Sequence, residues 1–91
     1  MCSKFYVISE KDNCGIALTN FSDDEPAASV GAVTDMKIVC HGICRGHKLA
    51  LRKIAKGEQV IKSGYPIGVS TENIEAGTLI HLHNLKSLVW E

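Results

Sequence analysis

Two short stretches of the sequence carry side chains that could bind an anion or transfer a proton. His47 and Lys48 follow Gly46, and residues 81–84 read His-Leu-His-Asn. An imidazole exchanges protons near neutral pH, and an ammonium group attracts a carboxylate. His47 and Lys48 are therefore candidate catalytic residues, with His47 doing proton work or making a polar contact and Lys48 attracting a carboxylate. The alternative is that both are solvated residues at the start of a strand.

His81 and His83 are two residues apart in a segment where apolar and polar residues alternate. On a strand, this spacing places both imidazoles on one face. We predict that they bind a substrate, with Asn84 beside them, and they are weak candidates for metal ligands. The alternative is that they are exposed polar positions between core residues.

Three further polar residues are candidates for substrate binding. Arg45 precedes the Gly46-His47-Lys48 stretch and offers a second cationic group for an anion. Asp12 and Asn13 could reach a substrate or a metal from a loop. They could equally form a turn that satisfies its own backbone.

The segment from Cys40 to His47 holds four metal-capable side chains: Cys40, His41, Cys44 and His47. Structural zinc sites usually combine two such halves that are well separated in sequence, and only one compact half is present. A zinc-dependent structural module is therefore less favoured than a polar loop with incidental thiols. Four cysteines could form two disulfides, but without a secretory signal we expect reduced thiols.

The elements that must position these residues are organised around an internal duplication, in which residues 50–60 align with residues 70–80. Each copy has an isoleucine, a glycine three residues later and a β-branched residue three residues after that: Ile54/Gly57/Val60 and Ile74/Gly77/Ile80. Glycine can take φ > 0 without Cβ strain, so each copy predicts a tight corner from which a strand leaves. A fainter third copy at residues 17–21 parallels residues 50–54, but no glycine follows at the matching place.

The remaining pattern predicts an all-β fold with short strands and at most one or two helical turns, because no segment has a sustained helical stripe of apolar residues. Residues 27–32 are ambiguous and could begin as a helical turn after Pro26. Strands are expected at 4–9, 15–21, 36–40, 48–51, 60–62, 67–71, 79–85 and 87–90.

Size and charge exclude several classes of function. Ninety-one residues predict a single domain spanning 1–91, with a core thin enough for a partner or a homo-oligomer to help. The net charge of zero gives no indication of a nucleic-acid partner. No apolar run is long enough for a membrane span or a signal peptide, so we expect a cytoplasmic protein with no membrane contact.

The motifs form an ordered series along the chain: Gly46-His47-Lys48-Leu49-Ala50-Leu51, Ile54-Ala55-Lys56-Gly57, Val60-Ile61-Lys62, Gly64, Ile67-Gly68, Ile74-x-Ala76-Gly77 and His81-Leu82-His83-Asn84. This series resembles the SAF (β-clip) domain of the altronate and galactarate dehydratases, and the resemblance spans residues 12–85. The sequence departs from the family pattern at residues 23–32 and in its cysteines at 14, 40 and 44.

The resemblance implies a β-clip fold and a large catalytic dehydratase subunit as partner, because the family's domain is fused to such a chain or made as a separate small subunit. The end of this chain soon after the last motif resembles the separate form. The resemblance also implies a sugar-acid substrate and a divalent metal, expected to be iron, in the large subunit. The isolated chain should then be inactive.

Two alternatives remain open beside the sugar-acid dehydratase. The small subunit of a sulfolactate sulfo-lyase is of the same type, so that the departing group is either water or sulfite. A non-enzymatic β-clip module that binds a sugar acid or a protein surface would account for the same residues.

Overall fold

The computed structural model describes residues 3–81 and 83–87, and these residues form nine strands and no helix. The strands are β1 (Ser3–Val7), β2 (Cys14–Ala17), β3 (Glu25–Gly31), β4 (Lys37–Cys40), β5 (Lys48–Ala50), β6 (Gln59–Lys62), β7 (Tyr65–Ser70), β8 (Leu79–Ile80) and β9 (Leu85–Ser87). One sheet has the order β4-β3-β1-β2-β5-β8, and the other has the order β6-β7-β9. The prediction of an all-β fold is confirmed. The predicted strand at 87–90 lies largely outside the described residues. The described residues contain no helix that could span a membrane.

Side-chain alternation along the strands creates two apolar clusters. In β1, Phe5 and Val7 are fully buried while Lys4 and Tyr6 are exposed, as expected for a sheet with one face against the core. The first cluster lies on the Phe5 face: Phe5, Val7, Ala17, Phe21, Ala27, Cys40, Ile43, Leu49 and Leu51. The second joins the two sheets: Cys14, Ala50, Ile54, Val60, Ile74 and Ile80.

Residues 27–32 contain no helical turn, and most of them belong to β3 (Glu25–Gly31). This strand pairs with β1 in parallel and with β4 in antiparallel orientation. The small side chains of Ala27 and Ser29 are buried, and the Ser29 hydroxyl accepts a hydrogen bond from the Met36 backbone N–H at 2.9 Å. Pairing on both sides decides the conformation of a segment whose own sequence is ambiguous.

The duplicated segments contact each other through reciprocal backbone hydrogen bonds. Ile54 donates to the Ile74 carbonyl at 2.8 Å, and Ile74 donates to the Ile54 carbonyl at 2.8 Å. The corner glycines also donate to the other copy. The Gly57 N–H donates to the Ser70 carbonyl at 2.8 Å, and the Gly77 N–H donates to the Ala50 carbonyl at 2.8 Å. Both glycines have positive φ, as the corner prediction requires. Each copy therefore supplies the hydrogen-bond partners of the other.

A third corner lies at Gly46, which also has positive φ. Phe21 and Ile43 exchange backbone hydrogen bonds, and the Gly46 amide donates to the Ala17 carbonyl at 2.8 Å. Ala17 and Phe21 thus occupy the positions of the faint third copy that the sequence predicts. The glycine that bonds to this copy is Gly46, which lies far along the chain. It belongs to a third set with the spacing of the two repeats, Ile43/Gly46/Leu49.

Replacing the two corner glycines by alanine should have unequal effects on stability. At Gly77, a Cβ would collide with the Val39 carbonyl oxygen, whereas at Gly57 it would meet nothing within 4 Å. Gly57→Ala carries only the strain of a positive φ, about 1–2 kcal/mol of the free energy of unfolding. We expect Gly77→Ala to lose clearly more free energy of unfolding than Gly57→Ala, because β4 must also move. Urea unfolding of both variants measures the difference, and equal losses would contradict the packing of this corner against β4.

Candidate functional site

The structure brings His47 and His81 together at neighbouring strand ends. Strands β5 and β8 are antiparallel with Lys48 opposite Ile80, so the residue before Lys48 lies beside the residue after Ile80. The two imidazole rings have centroids 5.7 Å apart and are tilted by 45°. Both histidines are exposed, so the pair can contact solvent, a ligand or another chain.

Lys48 lies beside this pair, but the register sets the direction of its side chain. It is paired with Ile16 on β2 and with Ile80 on β8, and residues directly opposite each other share a face of the sheet. Its side chain is half-buried, and its charge acts on the buried Cys14 thiol. Neighbours on a strand point to opposite faces, so His47 and Lys48 are presented to different sides.

Arg45 is exposed in the turn that precedes His47. Its backbone N–H donates to the Asn20 side-chain oxygen at 2.9 Å, and the equivalent N–H of Lys56 donates to Asn73 at 2.9 Å. The asparagines hold the same place in two corners of the fold. Arg45 therefore lies in the Gly46 corner, two residues before His47, and its side chain is exposed to solvent.

The prediction that residues 79–85 form one strand with His81 and His83 on one face is wrong. Strand β8 ends at Ile80, and the chain turns before β9. The buried Asn84 side chain accepts a hydrogen bond from the His81 N–H at 2.9 Å and donates one to the Leu79 carbonyl at 2.8 Å. A side chain that satisfies nearby backbone groups in this way replaces strand pairing. Asn84 therefore positions His81, and His83 lies exposed in the turn.

Asp12 binds the β6–β7 hairpin. Its carboxylate accepts backbone hydrogen bonds from Ser9 at 3.1 Å, Ser63 at 3.0 Å and Gly64 at 2.8 Å. Ser63 and Gly64 both have positive φ, which is typical of a two-residue type I′ hairpin turn. The carboxylate thus stabilises a turn in which one residue, Ser63, lacks the conformational freedom of glycine.

Asn13 joins the two sheets. Its side-chain oxygen accepts the Ile61 N–H at 2.7 Å, and its side-chain nitrogen donates to the Gln59 carbonyl at 2.9 Å. Asn13 itself is buried, whereas its partners Ile61 and Gln59 are half-buried and exposed, respectively. The contacts of Asp12 and Asn13 lie within the fold, and their role in substrate binding stays a prediction.

The segment containing Cys40, Cys44 and His47 does not assemble a metal site. Cys40 is buried, Cys44 is exposed, and both are free. Within residues 3–81 and 83–87, no group of three or more His, Cys, Asp or Glu side chains is placed to hold a metal ion. The His47–His81 pair supplies two imidazoles, which is half of a tetrahedral set. The described residues therefore do not fit a complete metal centre of their own.

Removal of the Asn13 side chain should destabilise the fold more than removal of an exposed asparagine. Asn13→Ala removes the buried side chain that pairs with the Gln59 carbonyl and the Ile61 N–H. Each lost hydrogen bond costs about 0.5–1.5 kcal/mol, so we expect a loss of about 1–3 kcal/mol in the free energy of unfolding. Asn73→Ala, which removes one exposed bond to Lys56, is the matched control and should lose about 1 kcal/mol or less. Similar losses in the two variants by urea unfolding would show that Asn13 does not join the sheets.

The cysteines should differ in their reactivity. Burial, with a further contribution from the Asp12 charge, raises the pKa of the Cys14 thiol to about 11. Burial likewise raises the pKa of Cys40, and the Glu25 charge adds to it. Since the thiolate is the reactive form, iodoacetamide at about pH 8 should label Cys44 in the folded protein, and Cys14 and Cys40 only after unfolding. Peptide mass spectrometry separates these sites from Cys2, which lies outside the described residues, and rapid labelling of Cys14 would contradict its burial.

Comparison with known proteins relates this chain to two enzymes over most of its length. The altronate dehydratase of Bacillus subtilis is 35% identical over 83 residues, which are 91% of this chain and 16% of the enzyme. The altronate dehydratase of Escherichia coli is 33% identical over 84 residues, which are 92% of this chain and 16% of the enzyme. This chain thus spans about a sixth of the length of the altronate dehydratases that it matches.

A second type of relative is a lyase subunit. The (2R)-sulfolactate sulfo-lyase subunit alpha of Chromohalobacter salexigens is 44% identical over 45 residues, which are 50% of this chain and 48% of that subunit. The profile of the altronate/galactarate dehydratase SAF domain matches residues 3–88. Since this match covers nearly the whole chain, the protein belongs to the altronate/galactarate dehydratase SAF domain family.

Proposed function

We propose that this chain is the small subunit, or an accessory domain, of a lyase that removes water from a sugar acid of the altronate or galactarate type. A large catalytic chain would supply most of the active site, and this chain would cap or complete it. The observation that carries the proposal is the coverage of the relatives. Nine-tenths of this chain matches only 16% of each altronate dehydratase, so the counterpart of their remaining length must be sought in another chain or segment.

The exposure of the histidine pair supports this division of labour. A site that binds a small molecule usually encloses most of its surface. His47 and His81 are exposed on this chain, and a second chain placed over them would exclude water from the pair. In that setting an imidazole can take up or deliver a proton during the elimination.

The charged residues near the pair fit the binding of an acid. Arg45 would attract the substrate carboxylate, and Lys48, whose side chain leaves the opposite face of the sheet from His47, would reach it only around the edge of the sheet. Asn84 would act indirectly, because its side chain holds the backbone of His81 in the turn. His83 lies in the same turn and would contact the substrate from there.

The proposed metal belongs to the large chain. A divalent metal, which we expect to be iron, would stabilise the negative charge that develops beside the substrate carboxylate. Two imidazoles on this chain are too few to hold it alone, so its ligands would come mainly from the partner. The cytoplasmic location predicted from the sequence also remains a proposal.

Removal of sulfite from sulfolactate is the second candidate function. One observation favours it, namely the 44% identity with the sulfo-lyase subunit alpha over the matched half. The same small subunit could serve either elimination, because both begin with loss of a proton next to a carboxylate.

The proposal is tested by purifying the tagged chain from its source cells with whatever large chain accompanies it. The complex is then assayed for loss of water from altronate and galactarate and for release of sulfite from sulfolactate. We expect turnover of an acid by the complex and none by the isolated chain. Turnover by the isolated chain would overturn the division of labour, and sulfite release alone would select the second candidate.

Variants of the histidines test the role of the pair within that complex. Loss of a general acid or base usually lowers the rate by about 10²-fold or more, so His47→Gln or His81→Gln should lower kcat by that factor. His41→Gln replaces an exposed histidine outside the pair and should leave kcat unchanged. Equal rates for all three variants would show that the pair takes no part in the reaction.

A further inference from the structure

The larger sheet has one face that is only partly covered. The β6-β7-β9 sheet packs against its β2-β5-β8 half through the cluster around Ile54 and Ile74. The same face of the β4-β3-β1 half carries outward side chains that no other strand of residues 3–81 and 83–87 covers. We define this open face by six residues: Lys4, Tyr6, Pro26, Val30, Lys37 and Val39.

Strand register shows that these six residues share one face. Tyr6 is opposite Val30, and Pro26 is opposite Val39. Lys4 and Lys37 are both paired with Ala28, from its two sides. Tyr6 is 42% exposed and Val39 is 59% exposed, which is a high fraction for large apolar side chains.

The face also has a hollow that could receive a side chain. A hollow of about 220 Å³ is lined by Pro26, Ala27, Ala28 and Lys37. The small side chain of Ala28, which lies on this face between Lys4 and Lys37, leaves room above β3. Anchor residues of protein interfaces typically fill such hollows, while contiguous exposed apolar surface marks an interaction site.

The charges on the face indicate which partner it fits. Its two charged residues, Lys4 and Lys37, are both cationic. In the part of the chain that the structure describes, the one ion pair joins Arg52 to Glu58, so neither lysine is paired there. A second copy placed face to face would bring like charges together, whereas a surface with carboxylates around an apolar centre would be complementary.

The open face is continuous with the candidate site. One registered row of residues crosses the sheet from Val30 through Tyr6 and Ile16 to Lys48. Ile16 and Lys48 are only half-buried where the second sheet meets this row, so a chain that covered Tyr6 would reach the edge of that sheet beside Lys48, the residue that follows His47. The partner that completes the site is thus the occupant that this surface fits best.

We propose that the open face is the surface on which the large lyase chain docks, with carboxylates of that chain set against Lys4 and Lys37 and an apolar anchor in the hollow. This inference rests on the proposed function and adds to it the surface that joins the two chains. It also places Lys48 at the boundary between them.

The test compares charge insertions on the two sheets. Tyr6→Glu and Val39→Glu introduce a carboxylate on the open face, and Tyr65→Glu introduces one at a 74% exposed tyrosine of β7. All three side chains point outward, so equal melting temperatures serve as the folding control. Binding of the large chain that co-purifies with the unmodified protein is measured by biolayer interferometry. We expect Tyr6→Glu and Val39→Glu to raise Kd about tenfold or more, and Tyr65→Glu to leave it within about twofold.

The outcomes separate the docking surface from the proposed function. If the unmodified chain binds the large chain and all three variants bind equally well, the open face is not the interface, although the proposed function stands. If the chain binds no lyase chain and instead dimerises through the open face, both the occupant and the proposed function are wrong. A monomer that binds no lyase chain overturns both proposals as well.

Discussion

The fold depends on backbone hydrogen bonds that are exchanged between corners at positive φ. In each corner, a glycine amide donates to a residue of the facing segment, at Ala17, Ala50 or Ser70. The backbone N–H of the same residue donates a second bond, to the carbonyl of the residue that follows the glycine. The N···O distances of these second bonds are 2.9–3.0 Å. Buried backbone groups must be paired, and here the pairing is made between segments that are distant in sequence. Each segment of a pair therefore supplies the hydrogen-bond partners of the other.

The corners also determine where the candidate chemistry lies. His47 directly follows Gly46, and its backbone N–H donates to the Cys44 carbonyl at 3.1 Å within the turn. The strand that leaves the Gly77 corner is β8, which ends beside His81. The two imidazoles therefore lie close together because each follows a corner of the same type, or the short strand that leaves it. Asn84 then holds His81 by bonds that do not involve the strand ladder.

Much of the fold could be predicted from the sequence, because corner glycines and strand alternation leave local signals. Ile54, Gly57 and their counterparts lie at the expected corners, and the strands from β5 to β7 begin and end within two residues of their predicted limits. The corner at Gly46 was missed because its partner segment is upstream rather than in the neighbouring repeat. The strand character of residues 27–32 depends on pairing with β1 and β4, which composition does not reveal.

The site was less predictable than the fold. The spacing of His81 and His83 matches a strand, but the buried Asn84 side chain forms a turn there instead. The contact between His47 and His81 depends on the antiparallel pairing of β5 with β8, which no local pattern specifies. Asp12 and Asn13 are predicted to bind a substrate or to form a turn that satisfies its own backbone, and their role in substrate binding stays a prediction. Their contacts, however, are with a hairpin that lies about fifty residues further along.

Native-state hydrogen exchange, followed by NMR, tests the central claim most directly. If the reciprocal bonds hold the corners together, the amides of Ile54, Ile74, Gly57 and Gly77 should exchange slowly and with one common free energy of opening, close to that of global unfolding. Exchange of these four amides at the rate of exposed loop amides, or with free energies that differ between the two copies, would contradict the account.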